Sequence, residues 1–201
     1  RRRPQRAKER VRILYTGPLT PAGQTCEMRR ITLEHLNHVT DPVDYMTIAA
    51  DYPRLARQAQ WRLRAGPMID RYNRTLVEKL SARPGALWVD KGMFVRPETL
   101  AHAKAMGARL VHYSPDNYFL ATNASRHFWK SLPLYDLVVT TKSDNVDRLK
   151  ALGAQKVMLS GNAYDPQTHV PVSAEDPKLG EFACDVSFVG RWELERECWL
   201  E

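Results

Sequence analysis

The sequence predicts an α/β fold: a Rossmann-like, doubly wound parallel sheet. Two observations lead to it. Six short runs rich in β-branched and aromatic residues are separated by longer segments with helical apolar spacing. The runs are apolar nearly throughout rather than alternating, as expected of parallel strands covered on both faces by helices.

Taken in order, Val11 to Tyr15 (VRILY) is a strand that ends at Thr16-Gly17-Pro18, and Ala22 to Val39 carries helical spacing through Met28, Ile31, Leu33 and Leu36. Asp44 to Ala49 (DYMTIA) reads as the second strand. Two helices follow, Leu55 to Arg64 and Pro67 to Ser81, the latter with proline at a first helical position. Ala86 to Val89 and Arg109 to Tyr113 are strands on either side of a helix over Pro97 to Met106. A short helix around Ser125 to Leu132 precedes the strand Tyr135 to Thr140. The helix Asn145 to Leu152 is closed by Gly153, and Gln155 to Leu159 is the sixth strand.

Residues 166–177 (PQTHVPVSAEDP) have the polar, proline-bearing composition of a linker. After it, "CDVSFVGRWELERECWLE" reads as a strand, a glycine turn and a helix, the opening of a second α/β unit. The expected organisation is therefore a leader over 1–10, a Rossmann-like domain over 11–165, a linker over 166–183 and the start of a second, truncated domain over 184–201. On this reading the chain is a piece of a longer protein.

With 201 residues, 43% of them apolar, one domain-sized core can be buried. Of the formal charge of +7, the first ten residues (RRRPQRAKER) hold +5. A basic arm of this kind is expected to be a solvated leader, and no nucleic-acid-binding signature follows it, so nucleic acid is not an expected partner. The three cysteines, Cys26, Cys184 and Cys198, form neither a CxxC pair nor a Cys/His ligand pattern. No metal site and no disulfide framework is expected, and a reducing cytoplasm suits them. No apolar run reaches the roughly 20 residues that a membrane span needs.

In a doubly wound sheet, ligands bind beyond the carboxyl ends of the strands, so the residues after each strand carry the candidate chemistry. Thr16 to Gln24 (TGPLTPAGQ) leads through Gly17 and Gly23 into a helix start, where free N–H groups suit an anion or a sugar hydroxyl; the same glycines also serve a tight turn. Asp90-Lys91-Gly92 sets an acid and a base at a strand end, with Lys91 a cleft residue or a solvated turn. The acidic pair that a phospho-acceptor receiver would need after the first strand is replaced by Tyr15-Thr16-Gly17. In Ser114-Pro115-Asp116-Asn117, Asp116 stands in an aromatic-rich loop where a carboxylate can be tuned to act as a general base, or can simply cap a turn. His127 is an alternative base or polar contact. Thr140 to Asn145 (TTKSDN) offers hydroxyls at a helix start, with Ser143 or Asp144 as an ordinary N-cap. Asn162 and Tyr164 in Ser160 to Tyr164 (SGNAY) would border an interdomain cleft or act as a hinge.

The segments "RILYTGPLTPAGQTCEMRRITLEHLNHV", "VDKGMFVRPETL", "LVHYSPDNYF", "YDLVVTTKSDNVDRLKALGAQKVMLSGNAYDPQTHVP" and "CDVSFVGRWELERE" resemble the CgeB-like, spore-maturation type glycosyltransferases, enzymes of the GT-B architecture. The resemblance runs from Val11 onward. It implies two Rossmann-like domains facing each other across a cleft, with this chain supplying the acceptor side and only the first strand and helix of the donor side. It further implies metal-independent transfer of a sugar from a nucleotide-sugar donor to an acceptor, with no cofactor. Asp116 would be the base, Gly17, Gly23, Lys91, Asn117, Asn162 and Tyr164 would line the substrate cleft, and Gly190 and Arg191 would border the donor diphosphate. Two rivals stand beside it. A dinucleotide-dependent oxidoreductase would need a GxGxxG turn, which is absent, and an acid at the end of the second strand, for which Asp51 is only loosely placed. A non-catalytic binding module would need the fold alone.

Overall fold

The structure, a computed structural model, describes residues 9–120, 122–166, 169–173, 175–176, 179–182, 184–187 and 197–198. The chain divides into two compact units, Arg1–Ala163 and Tyr164–Glu201.

The first unit is a six-stranded sheet in which every neighbouring pair is parallel. Its strands are β1 (Arg12–Gly17), β2 (Val39–Asp44), β3 (Ala86–Asp90), β4 (Arg109–Ser114), β5 (Leu137–Thr140) and β6 (Val157–Leu159), in the order β2-β1-β3-β4-β5-β6. The helices between them are α1 (Thr25–His35), α2 (Tyr45–Ala50), α3 (Arg54–Leu63), α4 (Pro67–Leu80), α5 (Pro97–Ala105), α6 (Arg126–Ser131) and α7 (Ser143–Ala151). The sheet runs outward from β1 in both directions, so the order reverses between β1 and β3. This is the switch point at which open α/β sheets form a crevice.

Alternation along the strands divides the core. Leu14, Leu87, Val89, Leu110 and Val138 point to one face, where they pack with side chains of α2, α4, α5, α6 and α7. Ile13 and Tyr15 point to the other, where they meet Cys26 and Leu33 of α1 beside Ala86 and Trp88. The predicted doubly wound α/β class is the one observed.

One strand was assigned to the wrong residues. The run DYMTIA, expected as the second strand, is the helix α2, and β2 is the preceding segment Val39–Asp44. The Asp44 carboxylate accepts the Met46 amide at 2.8 Å and so caps α2, while Tyr45 and Ala49, one turn apart, are both buried. The first predicted helix, Ala22 to Val39, in fact stops at His35, with Asn37 in the left-handed region at φ 69°, and Thr40 to Val43 of β2 carry no assignment from the sequence. Pro42 lies within β2 and masked its strand character; an edge position tolerates it.

The N-cap of α7 also differs from expectation. Lys142, not Ser143 or Asp144, occupies the cap position and makes no side-chain cap bond. Thr140 Oγ1 at the end of β5 accepts instead from the Lys142 amide at 3.2 Å and from Asn145 Nδ2 at 3.1 Å, tying the helix start directly to the sheet.

In the second unit, the described residues include a short 3-10 turn over Leu179–Phe182 and a turn in which the His169 amide donates to the Asp165 carbonyl at 2.8 Å. Both Cys184 and Cys198 are exposed. Much of the expected strand and helix of a second domain, Gly190 and Arg191 included, lies outside the described residues, as do residues 1–8 of the leader. Among the described residues no helix is long and apolar enough to cross a membrane.

Candidate active site at the carboxyl edge

The carboxyl ends of β1, β3, β4 and β5 bring together Gly17, Asp90-Lys91, Ser114-Pro115-Asp116 and Thr140-Thr141. At the switch point the side chain of Asp90 is fully buried and takes three donors. Arg29 of α1 reaches it with Nε at 2.7 Å and Nη2 at 3.0 Å, and the Tyr15 hydroxyl donates to Oδ2 at 2.7 Å. The same hydroxyl lies 2.9 Å from the Cys26 carbonyl. Burial raises the Tyr15 phenol far above its ordinary value, and the Asp90 charge raises it further, so it remains a donor. For Arg29, burial works against the charged form, but the hydrogen bonds and charge of Asp90 outweigh it and hold the guanidinium protonated. That guanidinium also lies over the Tyr113 ring at 4.2 Å. Asp90 is thus a fastening between β1, α1 and β3, with three donors on its two oxygens.

Gly17 stands directly beside this carboxylate. A β-carbon at Gly17 would lie 2.9 Å from Asp90 Cβ and 3.3 Å from the Asp90 carbonyl, so the absence of a side chain lets the ends of β1 and β3 close up. Gly23 has the other glycine virtue: its φ of +86° turns the loop into α1, with open space around it. Between the two glycines, the loop is anchored to the end of β2. Asp44 accepts from the Leu19 amide at 3.1 Å and from the hydroxyls of Thr20 and Thr47.

That anchoring bears on the dinucleotide reading. With β2 reassigned, the acid at its carboxyl end is Asp44, while Asp51 closes α2 and pairs with Arg71 at 2.7 Å. Asp44 already serves two backbone amides and two hydroxyls, which leaves little of its carboxylate for a ribose.

Lys91 and Asp116, predicted separately, meet: Lys91 Nζ lies 3.2 Å from Asp116 Oδ2, each side chain about one-third exposed. Lys91 holds a left-handed backbone with φ 56°, and its amide donates to the Tyr113 carbonyl at 2.9 Å. The loop bearing Asp116 is pinned from β5 and α7, since Thr141 Oγ1 donates to the Pro115 carbonyl at 3.0 Å and Asn145 Nδ2 to the Asp116 carbonyl at 3.1 Å. Asn145 is buried, and among the described residues its Oδ1 has no partner. Asn117 shapes the next turn, its Oδ1 accepting the Phe119 amide at 2.9 Å and its carbonyl accepting Asn123 Nδ2 at 3.0 Å.

The other predicted residues lie elsewhere. His127, on α6, places Nε2 2.8 Å from the Arg64 carbonyl and lines a separate cavity of about 430 Å³ with Arg96, Glu98, Arg126 and Lys130. Asn162 is exposed at the end of the first unit. Tyr164 belongs to the second unit, exposed and edge-on to His169 at 6.5 Å.

Sequence reasoning passed over Arg29 and the burial of Asp90, and gave Asn145 a place at a helix start without its tie to the Asp116 carbonyl. The signal for Arg29 was its place three residues after Cys26, on the apolar side of an otherwise charged helix. Among the described residues, no group of three or more His, Cys, Asp or Glu is arranged to hold a metal ion. Neither a protein-family model nor a curated protein matches this sequence.

Proposed function

We propose that this chain is the acceptor-side part of a glycosyltransferase that moves a sugar from a nucleoside diphosphate to an acceptor hydroxyl. The observation that carries the reading is the Lys91–Asp116 pair, one of its carboxylate oxygens 3.2 Å from the ammonium, on a pinned loop beside the switch-point crevice. Such a pair supplies an oriented, partly exposed proton acceptor where an open α/β sheet receives its ligands.

In an inverting transfer, Asp116 takes the acceptor proton as the acceptor oxygen bonds to the anomeric carbon. The bond from that carbon to the phosphate oxygen breaks, and the nucleoside diphosphate departs with the electron pair. Lys91 orients the carboxylate, and the Gly17 to Gln24 loop offers backbone N–H groups to the sugar. The resemblance assigns Gly190 and Arg191, which lie outside the described residues, to the donor diphosphate region and implies a metal-independent transfer.

The experiment is nucleoside diphosphate release from a panel of nucleotide sugars, measured on this chain and on a form that continues past Glu201. Release by the longer form, stimulated by an acceptor, supports the reading. Absence of release from every donor, with and without acceptors, rejects it in favour of a binding module.

A further inference from the structure

The geometry points to a second binding site, in the cavity lined by His127, for a small molecule bearing a phosphate monoester. The cavity, about 430 Å³, is framed by Ala65, Arg96, Pro97, Glu98, Arg126, His127 and Lys130. Three cations from two segments converge there against one lining carboxylate. Arg96, just before α5, is already engaged with Asp70. Arg126 and Lys130 have no ion-pair or hydrogen-bond partner among the described residues.

Their spacing is not explained by the fold. Arg126 and Lys130 stand one turn apart on α6, a like-charge pair that weakens a helix. Neither is needed for packing, since both are exposed while Phe128 and Ser131 turn the other side of α6 into the core. An anion held between them would relieve the repulsion, and a guanidinium with an ammonium matches a phosphate by charge and by hydrogen-bond geometry.

Of the remaining lining residues, Glu98 opposes an anion, so the three cations act against one carboxylate. The Arg64 carbonyl can only accept, so His127 donates to it through Nε2 and turns Nδ1 to its other side. The volume lies within the range of small-molecule sites and exceeds what a bare phosphate fills, leaving room for the group it is esterified to.

The cavity is separate from the Lys91–Asp116 pair and goes beyond the transfer reading. The binding inference does not need that reading, because it is tested without any donor.

The test uses the 201-residue chain with glycerol 3-phosphate as probe, followed by calorimetry and by the His127 ring proton resonances, with glycerol and inorganic phosphate as parallel arms. The expected result is saturable binding at about 1 mM or tighter, weaker for inorganic phosphate and absent for glycerol. Arg126→Ala with Lys130→Ala should weaken it at least about tenfold while the thermal transition stays unchanged, and raised salt should weaken it too. No saturation, unchanged affinity in the double variant, or no movement of the His127 resonances would each overturn the proposal. Absence of nucleoside diphosphate release in the transfer assay would leave this result standing.

Discussion

Arg29 and Asp90 form a two-contact ion pair, Nε to Oδ2 at 2.7 Å and Nη2 to Oδ1 at 3.0 Å, with the carboxylate side chain wholly out of solvent. Removing the cation leaves a buried charge, so Arg29→Met should cost about 3–5 kcal/mol in urea denaturation. Asp90→Asn alone should also destabilise, and the double variant should lose less than the two single losses combined. Additive losses would show that the pair is not coupled.

Gly17→Ala should cost about 1–3 kcal/mol, because the new methyl meets Asp90 Cβ at 2.9 Å and the ends of β1 and β3 must part. Gly23→Ala should act through its left-handed backbone instead. A Gly17→Ala melting curve identical to that of the parent would remove the close-approach argument.

His112 gives acid sensitivity. It is buried among the rings of Tyr118, Phe128 and Tyr135, and burial pulls its pKa down to about 3. The unfolded chain binds its proton near pH 6.5, so the neutral native ring contributes fully above that pH and the contribution drains as pH falls toward about 3. Stability should drop by about 1.4 kcal/mol per pH unit through this window. His112→Phe should flatten the dependence by that amount between pH 6 and 5, as compared by urea titrations; equal slopes would contradict the assignment.

Thiol labelling should separate the cysteines. Burial and then the nearby Asp90 charge push the Cys26 thiol up to about 12, whereas Cys184 and Cys198 are exposed. At neutral pH two thiols should react quickly and the third only as the fold opens, which makes Cys26 a reporter of local opening. Three fast thiols in the native protein would refute its burial.

On the proposed transfer reading, Asp116→Asn should lower transfer by about 10²–10⁴-fold with circular dichroism unchanged. Lys91→Met should reduce it less, through loss of orientation. Near-normal turnover by Asp116→Asn would remove it as the base.

Strands that lie in the middle of the sheet were legible because both faces demand apolar residues; Leu87, Val89, Leu110 and Val138 announce themselves. The edge strand β2 did not, since an edge tolerates Pro42 and acidic residues while α2 carries the apolar pattern beside it. The candidate residues after the strands were legible as positions, because topology alone sends them to one edge. Which of them meet was not: the Lys91–Asp116 contact depends on adjacent parallel strands in register, Asp90 opposite Tyr113, and Arg29 reaches Asp90 across 61 residues. Long-range pairing of this kind leaves no local pattern.

The borders of the sheet also govern how copies of the first unit treat one another. One border strand, β2, has a proline in its middle, and the other, β6, offers only three residues for pairing. Neither presents a long ladder of free amides and carbonyls, so the unit resists strand-to-strand aggregation in concentrated solution.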